Sequence, residues 1–86
     1  MDGGTYTVIS QTFEYTAKQA LEDEIAQNTK MFFEADRLDA HAYKLIEAYS
    51  GDAVTWSRFT QAKRIADAQR TAAYHEWMRI KRAARG

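Results

Sequence analysis

The sequence contains no cysteine and no proline, and only four of its 86 residues are glycine. Without cysteine there are no disulfides, thiolate metal ligands or cysteine nucleophiles. Without proline, no residue of the chain interrupts a long helix. No run of about 18 apolar residues occurs, so no membrane span is predicted. The first residues lack the basic and apolar segments of a cleaved signal. We therefore expect a single domain over residues 1–86, located in the cytoplasm of the source cell or its host.

Charge is balanced over the whole chain but not along it. The chain carries 12 basic and 12 acidic residues. Residues 1–52 contain ten acids and four bases, a net charge of −6, whereas residues 53–86 contain eight bases and two acids, a net charge of +6. A split of this kind is expected when two segments of opposite charge pair with each other.

Apolar residues recur at spacings of three and four from Thr16 onwards, which predicts two long helices and an all-α fold. The first helix, over 16–50, begins at a capping box that starts with Thr16, and the second occupies 52–85. Gly51 suits the left-handed position that ends a helix, and Asp52 suits the cap of the next. A connection this short allows only an antiparallel hairpin. The predicted core stripes are Leu21, Ile25, Asn28, Met31, Ala35, Leu38, Ala42, Leu45 and Tyr49, and Trp56, Phe59, Ala62, Ile65, Ala66, Gln69, Ala73, Trp77, Ile80 and Ala84.

Folding the chain at this turn pairs residues whose numbers sum to about 103. Leu38 then faces Ile65, and Asn28 faces His75 in a hydrogen-bonded polar layer that we expect to fix the register. The acidic stretch 22–24 faces basic residues near Arg79. The two arms are therefore predicted to neutralise each other.

The first helix carries a second apolar seam, which predicts self-association. Its apolar arc covers about 160°, wider than a single partner helix covers. We expect a homo-oligomer, most simply a dimer with a four-helix core. The residues predicted for self-association are Leu21, Ile25, Phe32, Phe33, Tyr43 and Ile46.

The first 15 residues follow a different pattern. Residues 5–10 alternate and are rich in β-branched and aromatic types, which predicts a short extended or β segment before the hairpin. Because a lone strand needs a partner edge, three arrangements are open: pairing with its own copy, addition to the edge of a partner's sheet, or an extended arm along the hairpin. The residues assigned to partner or strand pairing are Tyr6, Val8, Ile9 and Phe13.

No residue pattern indicates catalysis or metal binding. His41 and His75 have no carboxylate or histidine three or four residues away, so neither forms a helical metal pair. Asp36 and Asp39 lie three residues apart, but acid–base chemistry needs an enclosing pocket that a thin hairpin lacks. We expect these two to form a solvated face, and we expect no enzymatic activity, no metal and no cofactor.

Three binding functions remain open. A small protein-binding inhibitor or adaptor is favoured because the extended segment and the second seam both require a partner. Small lone domains of this type include those encoded by phages and other mobile elements. The alternatives are nucleic-acid binding by the basic end of the second helix, and an oligomeric hairpin that sequesters a small phosphate-bearing ligand. The candidate nucleic-acid contacts are Arg70, Tyr74, Arg79, Lys81, Arg82 and Arg85.

Overall fold

The protein is an antiparallel hairpin of two long α-helices, as the apolar spacing predicts. The computed structural model describes the backbone of residues 3–85 and the side chains of residues 16–85. Helix α1 comprises Gly3–Glu47 and helix α2 comprises Ala53–Arg85. At 1.5 Å per residue the helices are about 67 and 50 Å long. The molecule measures 78 × 21 × 11 Å, so it is a single layer of two helices.

The turn between the helices has the geometry expected from its sequence. Gly51 has a φ angle of +92°, the left-handed conformation that favours glycine. The backbone amide of Thr55 donates to a carboxylate oxygen of Asp52 at 2.8 Å, and the amide of Trp56 donates to the Asp52 carbonyl at 3.3 Å. Hydrogen bonds from Thr55 lower the pKa of the Asp52 carboxyl. The left-handed conformation of Gly51 and the capping role of Asp52 are confirmed, but α1 ends at Glu47, so Gly51 lies in the connection and not at the end of the helix.

Small residues form the seam where the helices meet. The buried positions repeat every seven residues along each helix, the spacing that keeps one seam facing its partner. Because alanine has no side chain beyond Cβ, larger neighbours flank the seam rather than enter it. The predicted stripes were therefore too wide: Ile25, Tyr49, Trp56 and Ile65 are exposed. The buried residues of the seam are Asn28, Ala35 and Ala42 in α1, and Ala66, Ala73 and Ile80 in α2.

Side-chain amides cross the seam to backbone carbonyl groups. Asn28, which is only 3% exposed, donates through Nδ2 to the carbonyl of Ala73 at 2.8 Å. Gln69 donates through Nε2 to the carbonyl of Met31 at 3.3 Å. The predicted layer between Asn28 and His75 is wrong, because His75 is exposed. The close approach at Ala73 brings its carbonyl within reach of Asn28, which satisfies the buried amide.

Helix α1 begins at Gly3 rather than at Thr16, so the backbone differs from the prediction over residues 3–15. The backbone of residues 3–15 is helical where an extended or β segment was expected, and residues 3–85 contain no strand. Alternating β-branched residues favour a strand only where a second strand completes its hydrogen bonds. A helix that already exists extends by one hydrogen bond per residue, and no proline stops it here.

Candidate protein-binding surfaces

The alanine seam divides the hairpin into two long sides. Because each residue advances by about 100° around a helix, the neighbours Leu38 and Asp39 lie on different sides of α1. The side that carries Asp39 also holds most of the aromatic residues, and we call it the aromatic side. The side that carries Leu38 has a shallow groove, and we call it the groove side. The aromatic side comprises Leu21, Ile25, Phe32, Asp36, Asp39, Tyr43, Ile46, Trp56, Phe59, Lys63, Asp67, Arg70, Tyr74 and Trp77.

Rings near the turn form a continuous aromatic row. The rings of Tyr49 and Trp56 lie 5.7 Å apart, those of Trp56 and Phe59 lie 5.6 Å apart, and those of Phe59 and Tyr43 lie 6.0 Å apart. All three pairs are tilted, as aromatic quadrupoles prefer. The ammonium group of Lys63 lies 5.2 Å from the centre of the Tyr43 ring. These contacts hold Trp56 and Tyr43 in place although half of each residue remains accessible to solvent.

An ion-pair network occupies the middle of the aromatic side. Asp39 accepts from Nζ of Lys63 at 2.7 Å and from Nη1 of Arg70 at 2.8 Å, and Asp36 accepts from Nη2 of Arg70 at 2.9 Å. The Asp39 side chain is 21% exposed. The hydrogen bond from Lys63, reinforced by Arg70, lowers the pKa of the Asp39 carboxyl. Asp39 is therefore part of the contact between the helices and not of a solvated face.

The residues predicted for self-association divide between two locations. Five of the six lie on the aromatic side, where Leu21, Phe32 and Ile46 are partly buried. Phe33 lies elsewhere, about 160° around the helix from Ala35, and is 65% exposed. The contribution of α2 to this surface was not predicted, because spacings of three and four place Trp56, Phe59 and Trp77 in the core. The residues predicted for strand pairing, Tyr6, Val8, Ile9 and Phe13, have side chains outside the described residues.

The groove side was not predicted as a site. Its floor is apolar, its rim is polar, and its volume is about 310 Å³. Ile65 on the floor is 53% exposed. Toward the open end of the hairpin, opposite the turn, the same side becomes charged: Arg79 lies 3.2 Å from Glu24 and also pairs with Glu76. The groove is lined by Leu38, His41, Leu45, Arg58, Gln61, Ala62 and Ile65.

The structure does not bring the candidate nucleic-acid contacts together. Arg70 and Arg79 are held in ion pairs on opposite sides of the hairpin. Lys81, Arg82 and Arg85 are exposed and form no ion pair with any described residue. Tyr74 is exposed on the aromatic side. A basic cluster is therefore confined to the last turns of α2.

Neither histidine is part of a metal-binding cluster within the part of the chain that the structure describes. His41 lies at the rim of the groove and His75 is exposed. No group of three or more histidine, aspartate or glutamate side chains among these residues is arranged to hold a metal ion. Of the described helices, neither combines the length and the apolar character needed to cross a membrane.

Comparison of the chain with protein-family models, with curated proteins and with solved structures finds no significant match.

Proposed function

We propose that this hairpin is a non-catalytic protein-binding module, a small inhibitor or adaptor, and that the aromatic side is its binding surface. The observation that carries the proposal is the exposure of large aromatic residues from both helices on one side. Tyr43 is 54% exposed, Trp56 is 50% exposed and Tyr74 is 56% exposed. Tyrosine and tryptophan are enriched among the residues that dominate binding energy at protein interfaces. Large exposed aromatic groups gathered on one side of a molecule are typical of an interaction site.

The polar groups on the aromatic side suit a surface that becomes covered. Asp39, Lys63 and Arg70 already satisfy one another across the two helices. When a partner covers these residues, each buried charge keeps its counter-charge. A buried charge without a counter-charge is the main cost of placing charges in an interface. Exposed aromatic groups at both ends of this network supply the apolar contacts. The network therefore lies between two apolar contact regions, whereas the polar groups of a typical interface lie at its rim.

The one-layer architecture supports binding rather than catalysis. The hairpin extends 11 Å in its smallest dimension, so the concave features formed by residues 16–85 are surface grooves and not enclosed chambers. Catalytic carboxylates and histidines need exclusion of water and a fixed substrate position. Asp36 and Asp39, which are three residues apart in the sequence, both form ion pairs with Arg70.

A protein partner and a second copy would compete for the aromatic side. Five residues predicted for self-association lie there, and Tyr43 is central to both uses. Self-association through this surface would therefore limit the binding of a protein partner. Neither use of the aromatic side requires the groove side, so variants on the groove side serve as controls.

The test is affinity capture from an extract of the source cell or its host, before and after nuclease, with two matched variants. Tyr43→Glu places a charge on the aromatic side, and Ile65→Glu places one at an equally exposed position on the groove side. We expect the wild type and Ile65→Glu to retain one stoichiometric protein after nuclease. We expect Tyr43→Glu to recover about tenfold less of it. Circular dichroism checks that both variants stay helical.

Equal recovery by both variants, or recovery that disappears after nuclease, would contradict the proposal. Loss on nuclease treatment would favour the second candidate function, nucleic-acid binding. That candidate rests on the three bases Lys81, Arg82 and Arg85, which are exposed and have no acidic partner among the described residues.

A further inference from the structure

Charge on the groove side changes sign between the turn and the open end. Near the turn, the apolar floor is bordered by Lys44 and Arg58, which form no ion pair within residues 16–85. Near the open end, the surface carries Asp23, Glu24 and Glu76, and Arg79 is the one base among the residues that line it. The groove side therefore has a net charge of about +2 at one end and −2 at the other, counted from these side chains.

This polarity makes the groove side complementary to itself. When two copies stack face to face about a two-fold axis perpendicular to the helices, the turn of each lies over the open end of the other. Arg58 and Lys44 then approach the acidic end of the second copy, at both ends of the interface. The alternative two-fold, parallel to the helices, would place basic residues over basic residues and acids over acids. Like-charge contact across an interface is unfavourable.

The apolar part of the groove lies where the antiparallel arrangement needs it. Leu38 and Ile65 lie near the middle of the paired region, between the basic and the acidic ends. In the stacked arrangement Leu38 and Ile65 of each copy lie over the stretch around Met31 of the other copy. Four helices then enclose Leu38 and Ile65, which the single hairpin leaves partly exposed.

We propose that the groove side is the interface of a homodimer in which the turn of each copy lies over the open end of the other. The dimer leaves the aromatic sides facing outwards, one on each face, where both stay available to a partner. This assignment differs from the sequence-based hypothesis, which places self-association on the aromatic side. It does not depend on the proposed function, because dimerisation is measured on the purified chain alone.

The first experiment measures the dimer dissociation constant by sedimentation equilibrium for two matched variants. Ile65 and Tyr43 are 53% and 54% exposed, one on each side of the hairpin. We expect Ile65→Glu to weaken the dimer by about 30-fold or more, since it places a charge at the centre of the interface. We expect Tyr43→Glu to change the constant by less than about threefold. Loss of the dimer in Tyr43→Glu but not in Ile65→Glu would overturn the proposal, as would a wild type that stays monomeric.

The second experiment tests the antiparallel orientation by charge reversal. Lys44→Glu alone and Asp23→Arg alone each create like-charge contacts at both ends, because the two-fold axis stacks α1 on α1, and we expect each to weaken the dimer on the order of tenfold. The double variant restores opposite charges, so its dissociation constant should return to within about threefold of the wild type. If the double variant is weaker than either single variant, the proposed orientation is incorrect.

Discussion

Single polar residues between the helices fix which positions meet. Asn28 is buried and donates to the carbonyl of Ala73, which lies opposite it in the other helix. A shift of one turn would leave this amide without an acceptor, and an unsatisfied buried polar group costs about 1–3 kcal/mol. Asp39 acts in the same way through Lys63 and Arg70. At this scale, specificity of register comes from polar groups, because alanines alone would tolerate several alignments.

The Asp39 network predicts an acid-dependent part of the stability. The pKa of Asp39 is lower in the folded chain than its ordinary value of 3.8, mainly because Lys63 donates to it. Its stabilising contribution is therefore complete above about pH 4 and is lost as the pH falls through the lowered pKa. We expect Asp39→Asn to lower the melting temperature at pH 7, and the difference from the wild type to shrink toward zero near pH 2. Thermal unfolding followed by circular dichroism measures this.

Asp67→Asn is the matched control for that prediction. Asp67 also approaches Lys63, but at 3.7 Å and with a side chain that is 65% exposed. Its effect on the melting temperature should be much smaller at every pH, because exposed ion pairs contribute little. A pH-independent difference between Asp39→Asn and the wild type would show that the carboxylate charge is not what stabilises the fold.

At the scale of the helices, the alanine seam decides how the elements pack. Ala35, Ala42, Ala66 and Ala73 are completely buried, so the backbones approach closely along much of the hairpin. The large apolar residues are displaced to the two sides, and this displacement creates both the aromatic side and the groove. A hairpin with leucines in the seam would bury its own apolar residues and leave less surface for binding.

The seam predicts a strong penalty for a larger side chain. Ala66→Leu adds three carbon atoms to a site with no free space, so we expect it to lower the free energy of unfolding by about 1–3 kcal/mol. Ala68→Leu is the control, since Ala68 lies in the same helix but is exposed. That variant should change the free energy of unfolding by less than about 0.5 kcal/mol. Urea titration measures the free energy of unfolding of both variants. An equal change in the two would mean that the alanine seam is not tightly packed.

At the scale of the whole molecule, the opposite charges of the two halves are partly used within the hairpin. Pairs such as Glu24 with Arg79 and Asp39 with Lys63 join the acidic arm to the basic arm, in the register predicted from the turn. Only Glu24 of the acidic stretch 22–24 forms an ion pair with a described base. The charges left over lie mostly at the ends, including Lys81, Arg82 and Arg85. These ends, rather than the middle, are where long-range electrostatic attraction to a partner would act.

Retention on heparin or DNA tests whether the basic end binds nucleic acid. We expect weak retention at low salt that falls steeply as salt rises, because released counterions supply the affinity. The double variant Lys81→Gln with Arg82→Gln should reduce the slope of log affinity against log salt by about two, one for each base removed. The double variant Lys30→Gln with Arg64→Gln removes the same charge from another part of the surface. It should bind heparin or DNA more strongly than the first double variant does. Equal losses in the two double variants would indicate attraction to charge in general and not a binding site.

The two helices, the turn and the pairing of the helices follow from the amino-acid sequence alone. Spacings of three and four predict the two helices, Gly51 and Asp52 predict the turn, and the turn sets the register that joins Glu24 to Arg79. These features are local, or follow from one short connection, so they can be derived without knowing what packs against what. The N-terminal segment is the exception. Its alternation predicts a strand, but a strand depends on a partner that the chain does not supply.

Which apolar residues remain outside the core depends on how closely the two helices approach, and this is seen only in the folded hairpin. The spacing around Ile65, Trp56 and Ile25 is the same as that of buried residues, yet close approach at the alanines leaves all three exposed. The distance between two helices depends on all the side chains along their contact, and no single spacing encodes it. The two sides, and the reversal of charge along the groove side, therefore became visible only when the helices were placed together.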